Sequence, residues 1–168
     1  MLQLALAAYP KLHLDCRELN RSGASYSIDT LRQLRAEYGS SAHLTFVLGE
    51  DALQQLHLWR EWRALLCLVN LLVLLRNDSS TPVASRPAFA LQQRIAACPK
   101  PVREHIGSAL CDLAGWKKSC HGAVMFWHNE LMPISATRVR ILAAQQKWDD
   151  LAALVPASVL QYMREVRP

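Results

Sequence analysis

The chain has 168 residues, of which 51% are hydrophobic and 20% are charged, and its formal net charge is +5 at pH 7. This length and apolar content suit one domain, residues 1–168, with a sizeable core, and they argue against two domains. The arginines are scattered along the sequence, which favours a small anionic ligand and disfavours a nucleic acid.

The cysteines and apolar segments bear on the cellular compartment. The five cysteines include no CxxC pair and are odd in number, which indicates reduced thiols in a cytoplasmic protein. The apolar run Ala64–Leu75 is too short to span a bilayer. No basic residue precedes the apolar part of the opening segment MLQLALAAYP, which argues against a secretory signal.

A metal site is not predicted. The nearest candidate is a group of four soft ligands in one short segment, and its spacing matches none of the usual zinc patterns. These residues are Cys111, Cys120, His121 and His128.

The first elements alternate between helix and strand. Apolar residues at helical spacing predict a helix over Leu2–Tyr9, and the alternating segment Leu12–Asp15 predicts a short strand. A second helix is predicted over Ser27–Tyr38, with Gly39 as its stop. The run His43–Gly49 is typical of a strand that is buried on both faces.

The alternation continues beyond the second predicted strand. Leu58–Leu68 carries apolar residues in helical order, and Asn70–Arg76 has the continuous apolar character of a parallel strand. Residues 77–121 are interpreted as an irregular insertion with short helices. The later predictions are helices at Ala88–Ala97 and Val102–Leu113, a last strand within Gly122–Met132, a helix over Thr137–Ala144 and a terminal helix over 156–166, Pro156 to Val166.

This order of elements predicts an α/β fold with a doubly wound, Rossmann-like parallel sheet. In such a fold the ligand lies beyond the carboxyl ends of the strands. Three segments are expected there: the loop after Phe46–Leu48, the turn before Trp59, and Ile134–Arg140. We expect these segments to meet in one crevice.

The segment ISATRVR, Ile134–Arg140, places small hydroxyl residues and two arginines at the predicted start of a helix. Unpaired N–H groups and partial positive charge at a helix start favour phosphate, so this pattern indicates nucleotide chemistry. The alternative is an ordinary helix cap, because Ser and Thr are also common capping residues.

Other candidate residues also have two interpretations. Asp51 follows Gly49 and Glu50 at a strand end, where a carboxylate can accept from ribose hydroxyls and glycine lets a ligand approach the backbone, but Asp51 could equally cap the next helix. Trp59 and Trp62 lie three residues apart, so they are expected to share one helix face, where one could pack inward while the other stacks on a planar ligand. The alternative is that both lie in the core. Ser25, Tyr26 and Ser27 could cap the helix that contains Ile28.

Taken together, these segments resemble the bacterial nicotinate-nucleotide adenylyltransferases, and the resemblance extends through most of the chain. The similar stretches, in order, are LDCRELNRSGASYSIDTLRQLR, FVLGEDAL, LHLWREWRALL, NLLVLLR, MPISATRVR and VPASVLQYMRE. Residues 77–121 are not part of the resemblance.

The resemblance implies transfer of AMP from ATP to nicotinate mononucleotide, giving deamido-NAD and pyrophosphate, with Mg²⁺ accompanying ATP. It also implies positions for both substrates. Trp59 would stack on the pyridine ring, and backbone N–H groups near Ser27 and Arg60 would take its carboxylate. The remaining positions that the resemblance assigns are Gly49 and Asp51 at the nucleotide sugar and Ser135, Thr137 and Arg140 at the ATP phosphates.

The family also has a first strand followed by a GGTFDPxHxGH loop, and these 168 residues contain no such sequence. We therefore expect the fold to lack that strand and its phosphate loop, no catalytic residue to be retained, and the chain by itself to be inactive. The alternatives are a non-catalytic nucleotide-binding remnant or scaffold, a nucleic-acid binder suggested only by the charge, and the sister adenylyltransferase for phosphopantetheine.

Overall fold

The computed structural model of the chain describes residues 1–76, 88–129 and 134–166. They cluster into two compact units, a larger one of Arg21–Glu130 and a smaller one of Met1–Asn20 with Leu131–Pro168. The prediction of one domain over residues 1–168 stays a prediction. In chain order, the described helices and strands are α1 (Leu2–Leu6), α2 (Ser27–Tyr38), β1 (Thr45–Gly49), α3 (Glu50–Gln54), β2 (Asn70–Arg76), α4 (Ala88–Ala97), α5 (Lys100–Gly107), α6 (Leu113–Lys118), β3 (Val124–Asn129), α7 (Ala136–Ala144), α8 (Trp148–Ala152) and α9 (Ala157–Val166).

A parallel sheet with strand order β1-β2-β3 organises the larger unit. Phe46 pairs with Leu71 in one ladder, and Val73 pairs with Phe126 in the other. Because the strands are parallel, their carboxyl ends lie at one edge of the sheet. Together with the helices that flank it, this sheet confirms the predicted mixed α/β, Rossmann-like architecture.

The core of the larger unit forms between the sheet and its helices. Alternate residues of β2, among them Leu71 and Val73, are fully buried, and Ile28 and Leu31 of α2 pack into the same cluster. Strand β1 differs from its prediction. Its residue Val47 is 51% exposed, so β1 is not buried on both faces by the described residues.

Side-chain hydrogen bonds stabilise the amino edge of this sheet. Arg35 of α2 donates hydrogen bonds to carbonyls that precede each strand: Ala42 at 2.7 Å, Leu68 at 2.8 Å and Cys120 at 3.1 Å. Asn70, which is fully buried, donates to the Ser119 carbonyl and accepts from an N–H before β3. These bonds stabilise the amino edge of the sheet, whereas ligands of such folds bind at the carboxyl edge.

Helix α2 has its predicted bounds. It ends at Gly39, whose φ of +83° suits glycine and whose N–H donates to the Arg35 carbonyl at 3.0 Å. The strand predicted over Leu12–Asp15 is wrong, since this segment has no regular structure. Leu12 and Leu14 remain largely exposed. A strand is stable only when a neighbour pairs with its backbone, and alternation of residue types alone supplies no such neighbour.

The helical segment predicted over Leu58–Leu68 consists instead of two 3₁₀ helices, Leu56–Leu58 and Trp62–Cys67. They are separated by Trp59–Glu61, where Glu61 adopts a left-handed conformation with φ of +48°. This conformation interrupts a continuous helix. The apolar spacing was correct for burial, because Leu65 and Leu66 lie in the core.

The described part of residues 77–121 is more regular than predicted. Helix α4 has the predicted bounds, but the helix predicted over Val102–Leu113 is replaced by α5 and α6. Between these two helices, Leu110 forms a bridge to Val124 at the start of β3. Val102 and Ile106 are fully buried in the main core, which is why this segment is ordered around the sheet. Residues 77–87 lie outside the described residues.

The smaller unit consists of α1, α7, α8 and α9. Its helices confirm the predictions for the start of the chain, for Thr137–Ala144 and for 156–166, although α1 is shorter and α9 begins one residue later. Leu151 and Leu160 pack together in its core. The hydroxyl of Ser158 donates to the Leu4 carbonyl at 3.1 Å, joining α9 to α1. Among the described helices of both units, none is long and apolar enough to cross a membrane.

Candidate functional site

The carboxyl end of β1 carries the predicted sugar-binding pair. Gly49 ends the strand and is the N-cap of α3, so Asp51 lies in the first turn of that helix and is not its cap. A Cβ atom added to Gly49 would lie 2.5 Å from Asp51 Oδ1. The absence of a side chain at residue 49 therefore lets the exposed Asp51 carboxylate lie close to the backbone.

The neighbouring carboxylate has a structural role. Glu50 forms an ion pair with Arg94 of α4, and both side chains are mostly buried. This contact joins the loop at the end of β1 to α4. The two acidic residues that follow Gly49 differ in exposure, since Glu50 is partly buried in an ion pair and Asp51 is exposed.

Trp59 begins the turn between the two 3₁₀ helices and is half-buried. Its ring meets that of Phe46 in β1 almost perpendicularly, with centroids 6.0 Å apart. Trp62 is only 7% exposed and belongs to the core. The predicted division between an inward tryptophan and a more accessible one is confirmed, whereas a shared helix face is wrong because Glu61 breaks the helix between them.

Arg60 lies beside the amino end of α2. Its guanidinium carbon is 4.8 Å from the centroid of the Tyr26 ring, and Tyr26 is the N-cap of this helix. The structure therefore places Arg60 against the residue that precedes Ser27, the first residue of α2. Of the three predicted cap residues, Ser25, Tyr26 and Ser27, the N-cap is Tyr26, and it makes no side-chain hydrogen bond to the helix.

This helix start combines hydrogen-bond donors and positive charge with one carboxylate, that of Asp29 in the first turn of α2. The first N–H groups of an α-helix have no partner within the helix, and the helix dipole adds partial positive charge at the same end. The guanidinium of Arg60 contributes a full charge beside it. A carboxylate or phosphate is the kind of group that such a helix end binds.

Arg32 and Glu61 join α2 to the turn that carries Trp59. The guanidinium of Arg32 donates to both carboxylate oxygens of Glu61, at 2.5 Å and 3.2 Å. This hydrogen bonding lowers the pKa of the Glu61 carboxyl, and it raises the pKa of Arg32. Sequence reasoning missed the pair because its members are 29 residues apart and no spacing rule connects them.

In the smaller unit, Ser135 is the N-cap of α7, and its Oγ accepts from the Arg138 N–H at 3.1 Å. Arg140 Nη2 lies 3.5 Å from Thr137 Oγ1, and all of these side chains are exposed. The capping interpretation of this segment is therefore confirmed. It does not exclude phosphate binding, since a capping hydroxyl that accepts one bond can still donate its own hydrogen.

Comparison with known proteins adds relatives of similar sequence, although no protein-family model matches the chain. A probable nicotinate-nucleotide adenylyltransferase of Cellvibrio japonicus is 37% identical over 167 residues, which cover 99% of this chain and 71% of the relative. The chain belongs to the nicotinate-nucleotide adenylyltransferase family. Proteins of the same name from Chromobacterium violaceum and Pectobacterium atrosepticum are 35% and 34% identical, over 99% and 98% of this chain and 71% and 70% of their own lengths.

Membership in this adenylyltransferase family confirms the resemblance seen in the sequence. Among the predicted site residues of this family member, five lie in the larger unit and three in the smaller unit. The prediction that the two groups meet in one crevice stays a prediction. The first group is Ser27, Gly49, Asp51, Trp59 and Arg60, and the second is Ser135, Thr137 and Arg140.

Cysteine and histidine residues do not form a metal centre in the described part of this family member. Residues 1–76, 88–129 and 134–166 contain no group of three His, Cys, Asp or Glu side chains that could hold an ion. The thiols of Cys111 and Cys120 instead donate to backbone carbonyls, those of Val124 and Ser41. Burial raises the pKa of the Cys111 thiol.

Proposed function

We propose that the chain binds nicotinate mononucleotide and ATP in the family's reaction, which transfers AMP to the mononucleotide and yields deamido-NAD and pyrophosphate. The observation that carries this proposal is the contact of Arg60 with Tyr26, the N-cap of α2, with the half-buried ring of Trp59 next to Arg60 in the chain. It offers an aromatic surface and an anion site within one turn of the chain. A pyridine ring that bears a carboxylate needs both.

The half-buried ring of Trp59 is the proposed stacking surface for the pyridine. Phe46 meets this ring nearly perpendicularly, and a perpendicular neighbour does not cover both faces of an indole. Stacking of a base on an aromatic side chain contributes about 1 to 3 kcal/mol. This contribution does not distinguish nicotinate from nicotinamide, because both carry the same ring.

Discrimination between the two pyridines is assigned to the amino end of α2. Backbone N–H groups near Ser27 and Arg60 are donors, so they favour the nicotinate carboxylate, which only accepts hydrogen bonds. The amide of nicotinamide has one acceptor oxygen where the carboxylate has two, and its NH₂ group would face a donor unfavourably. The helix dipole and the Arg60 charge act in the same direction.

The remaining predicted residues are assigned to ATP and to the sugars. Asp51, positioned over Gly49, is proposed to accept from ribose hydroxyls. Ser135, Thr137 and Arg140 are proposed to bind the phosphates and to disperse charge on the leaving pyrophosphate, which is a task of positioning and electrostatics. Mg²⁺ would enter with ATP as part of the substrate. Such an ion keeps several waters and uses substrate phosphates, so it requires no cage of protein ligands.

The 168 residues contain no GGTFDPxHxGH sequence, the loop whose histidines the family resemblance assigns to the phosphates. We propose that these residues by themselves bind nicotinate mononucleotide and ATP but transfer AMP poorly. This form of the proposal includes the alternative of a non-catalytic nucleotide-binding protein. A slow enzyme and a non-catalytic binding protein would both bind the nucleotides, but only the enzyme would form deamido-NAD.

Isothermal titration calorimetry of the 168-residue chain tests the proposal. The expected result is tighter binding of nicotinate mononucleotide than of nicotinamide mononucleotide. Trp59→Ala should weaken both by about tenfold, while Trp59→Phe should retain most of the affinity, because it keeps an aromatic face. Leu58→Ala is a matched control, because Leu58 adjoins Trp59 and is 72% exposed.

A chain that binds neither mononucleotide would contradict the proposal. Turnover is measured separately, as formation of deamido-NAD from ATP and nicotinate mononucleotide. Rapid formation by the 168-residue chain would show that the family loop is not required, and would refute the prediction of poor transfer.

A further inference from the structure

Glu61 has an unusual backbone for its residue type. Its φ of +48° and ψ of +34° place it in the left-handed region, which residues other than glycine, asparagine and aspartate rarely adopt. It directly follows Trp59 and Arg60, the two residues proposed to hold the pyridine and its carboxylate. Strained backbone next to a binding residue persists only where the surroundings hold it in place.

Three contacts hold this turn, one to each of its residues. The ring of Trp59 packs on Phe46 of β1, and Arg60 lies over the ring of Tyr26 at the start of α2. Glu61 is bound by both arms of the Arg32 guanidinium. One of the three contacts thus comes from α2 and another from its N-cap, and the amino end of this helix is the proposed carboxylate site.

The ion pair between Arg32 and Glu61 also neutralises a carboxylate that would otherwise compete for Arg60. Glu61 Oε1 lies 3.9 Å from Arg60 Nε, so the carboxylate of Glu61 is close enough to attract the arginine next to it. Arg32 engages both oxygens of Glu61 at shorter distances, 2.5 Å and 3.2 Å. If Arg32 were absent, Glu61 would be left to pair with Arg60 and would repel an incoming carboxylate.

We propose that Arg32 is a positioning and specificity-determining residue, whose ion pair with Glu61 fixes the Trp59–Glu61 turn and keeps Arg60 available for the carboxylate of the nicotinate ring. This inference rests on the proposed function. It assigns a role to a side chain that does not itself contact the mononucleotide. Arg32 neutralises the Glu61 carboxylate, which lies in the same turn as Arg60 and would compete with the nicotinate carboxylate for it.

The test measures calorimetric affinities of the 168-residue chain for nicotinate mononucleotide and nicotinamide mononucleotide. Arg32→Gln should weaken nicotinate binding by about fivefold, as expected for loss of one exposed ion pair, with a smaller effect on nicotinamide. Adding Glu61→Gln removes the competitor, so the double variant should recover the preference for nicotinate. Glu61→Gln alone should keep that preference.

Lys100→Gln is the matched control, because it removes one positive charge from an exposed pair with Glu104 in α5. It should leave both affinities unchanged, which excludes a general effect of net charge. Circular dichroism and the melting temperature of each variant establish that it is folded.

The outcomes separate this inference from the proposed function. If the unmutated chain does not prefer nicotinate, the proposed function fails, and the inference fails with it. If the preference is present but Arg32→Gln leaves it unchanged or weakens both ligands equally, only the inference is overturned. If Arg32→Gln does not fold, loss of the preference in Glu61→Gln overturns the inference instead.

Discussion

Replacement of Asn70 by alanine should destabilise the larger unit strongly. Asn70 is fully buried at the start of β2. Its Nδ2 donates to the Ser119 carbonyl at 2.6 Å, and its Oδ1 accepts from the Ala123 N–H at 2.8 Å. The substitution leaves two backbone groups unpaired at the amino edge of the sheet.

Each unpaired buried polar group costs about 1 to 3 kcal/mol. The buried Ala123 N–H alone predicts a loss of about 1 to 3 kcal/mol in the free energy of unfolding of Asn70→Ala, against a typical total of about 5 to 15 kcal/mol, and the part-buried Ser119 carbonyl adds a smaller cost. Urea unfolding followed by tryptophan fluorescence and circular dichroism measures this loss. The control is Gln92→Ala, which removes an exposed side-chain amide from α4.

Asn70→Asp refines the same prediction. It retains an acceptor for the Ala123 N–H, but it removes the donor to Ser119 and buries a negative charge. Its stability should therefore improve as the pH falls and the new carboxyl becomes protonated, because the protonated form can donate again. A loss below about 1 kcal/mol in Asn70→Ala would refute the reasoning, because it would mean that relaxation or water satisfies both groups.

Three further changes test other parts of the structure. Gly49→Ala should displace the Asp51 carboxylate, with which an added Cβ would collide, and should lower calorimetric affinity for ATP or the mononucleotide about threefold with little change in melting temperature. Burial, with a smaller contribution from Glu50, raises the pKa of the Cys98 thiol above its ordinary 9.0. The protonated thiol therefore stabilises the folded state below pH 9, and this stabilisation is lost as the pH rises from 9 through the pKa of the folded state. Cys98→Ala should flatten the alkaline decline in stability measured by urea unfolding. Ser135→Ala should cost about 1 kcal/mol through loss of the α7 cap, measured by thermal unfolding, and unchanged stability would contradict that role.

Long periodic segments gave the accurate predictions of fold. Helix α2 has its predicted bounds because an apolar stripe, an extended residue before Ser27 and a glycine stop all agree. The errors arose where partners decide the outcome. Leu12–Asp15 alternates like a strand and has no ladder, and Val47 remains exposed although its sequence neighbours are apolar. Neither burial nor pairing is a property of a segment by itself.

The candidate site was predicted only as far as chain order allows. Gly49 and Asp51 could be placed at the end of a strand, and a division between an inward and an accessible tryptophan could be predicted, but only the family resemblance indicated which of Trp59 and Trp62 is accessible. The contacts that shape the turn could not be predicted. They depend on the left-handed backbone of Glu61, a residue type that gives no signal for it, and on a partner 29 residues away.

Helix α2 connects these features physically. Its apolar residues Ile28 and Leu31 anchor it in the core, while Arg35 binds the carbonyls that precede the three strands. One turn earlier, Arg32 holds the Trp59–Glu61 turn, and the first residue, Ser27, opens the proposed carboxylate site. A helix fixed at the amino edge of the sheet therefore sets the position of the proposed pyridine site. Changes at Arg35 should accordingly act on the fold and on both mononucleotides alike, whereas changes at Arg32 should act on the choice between them.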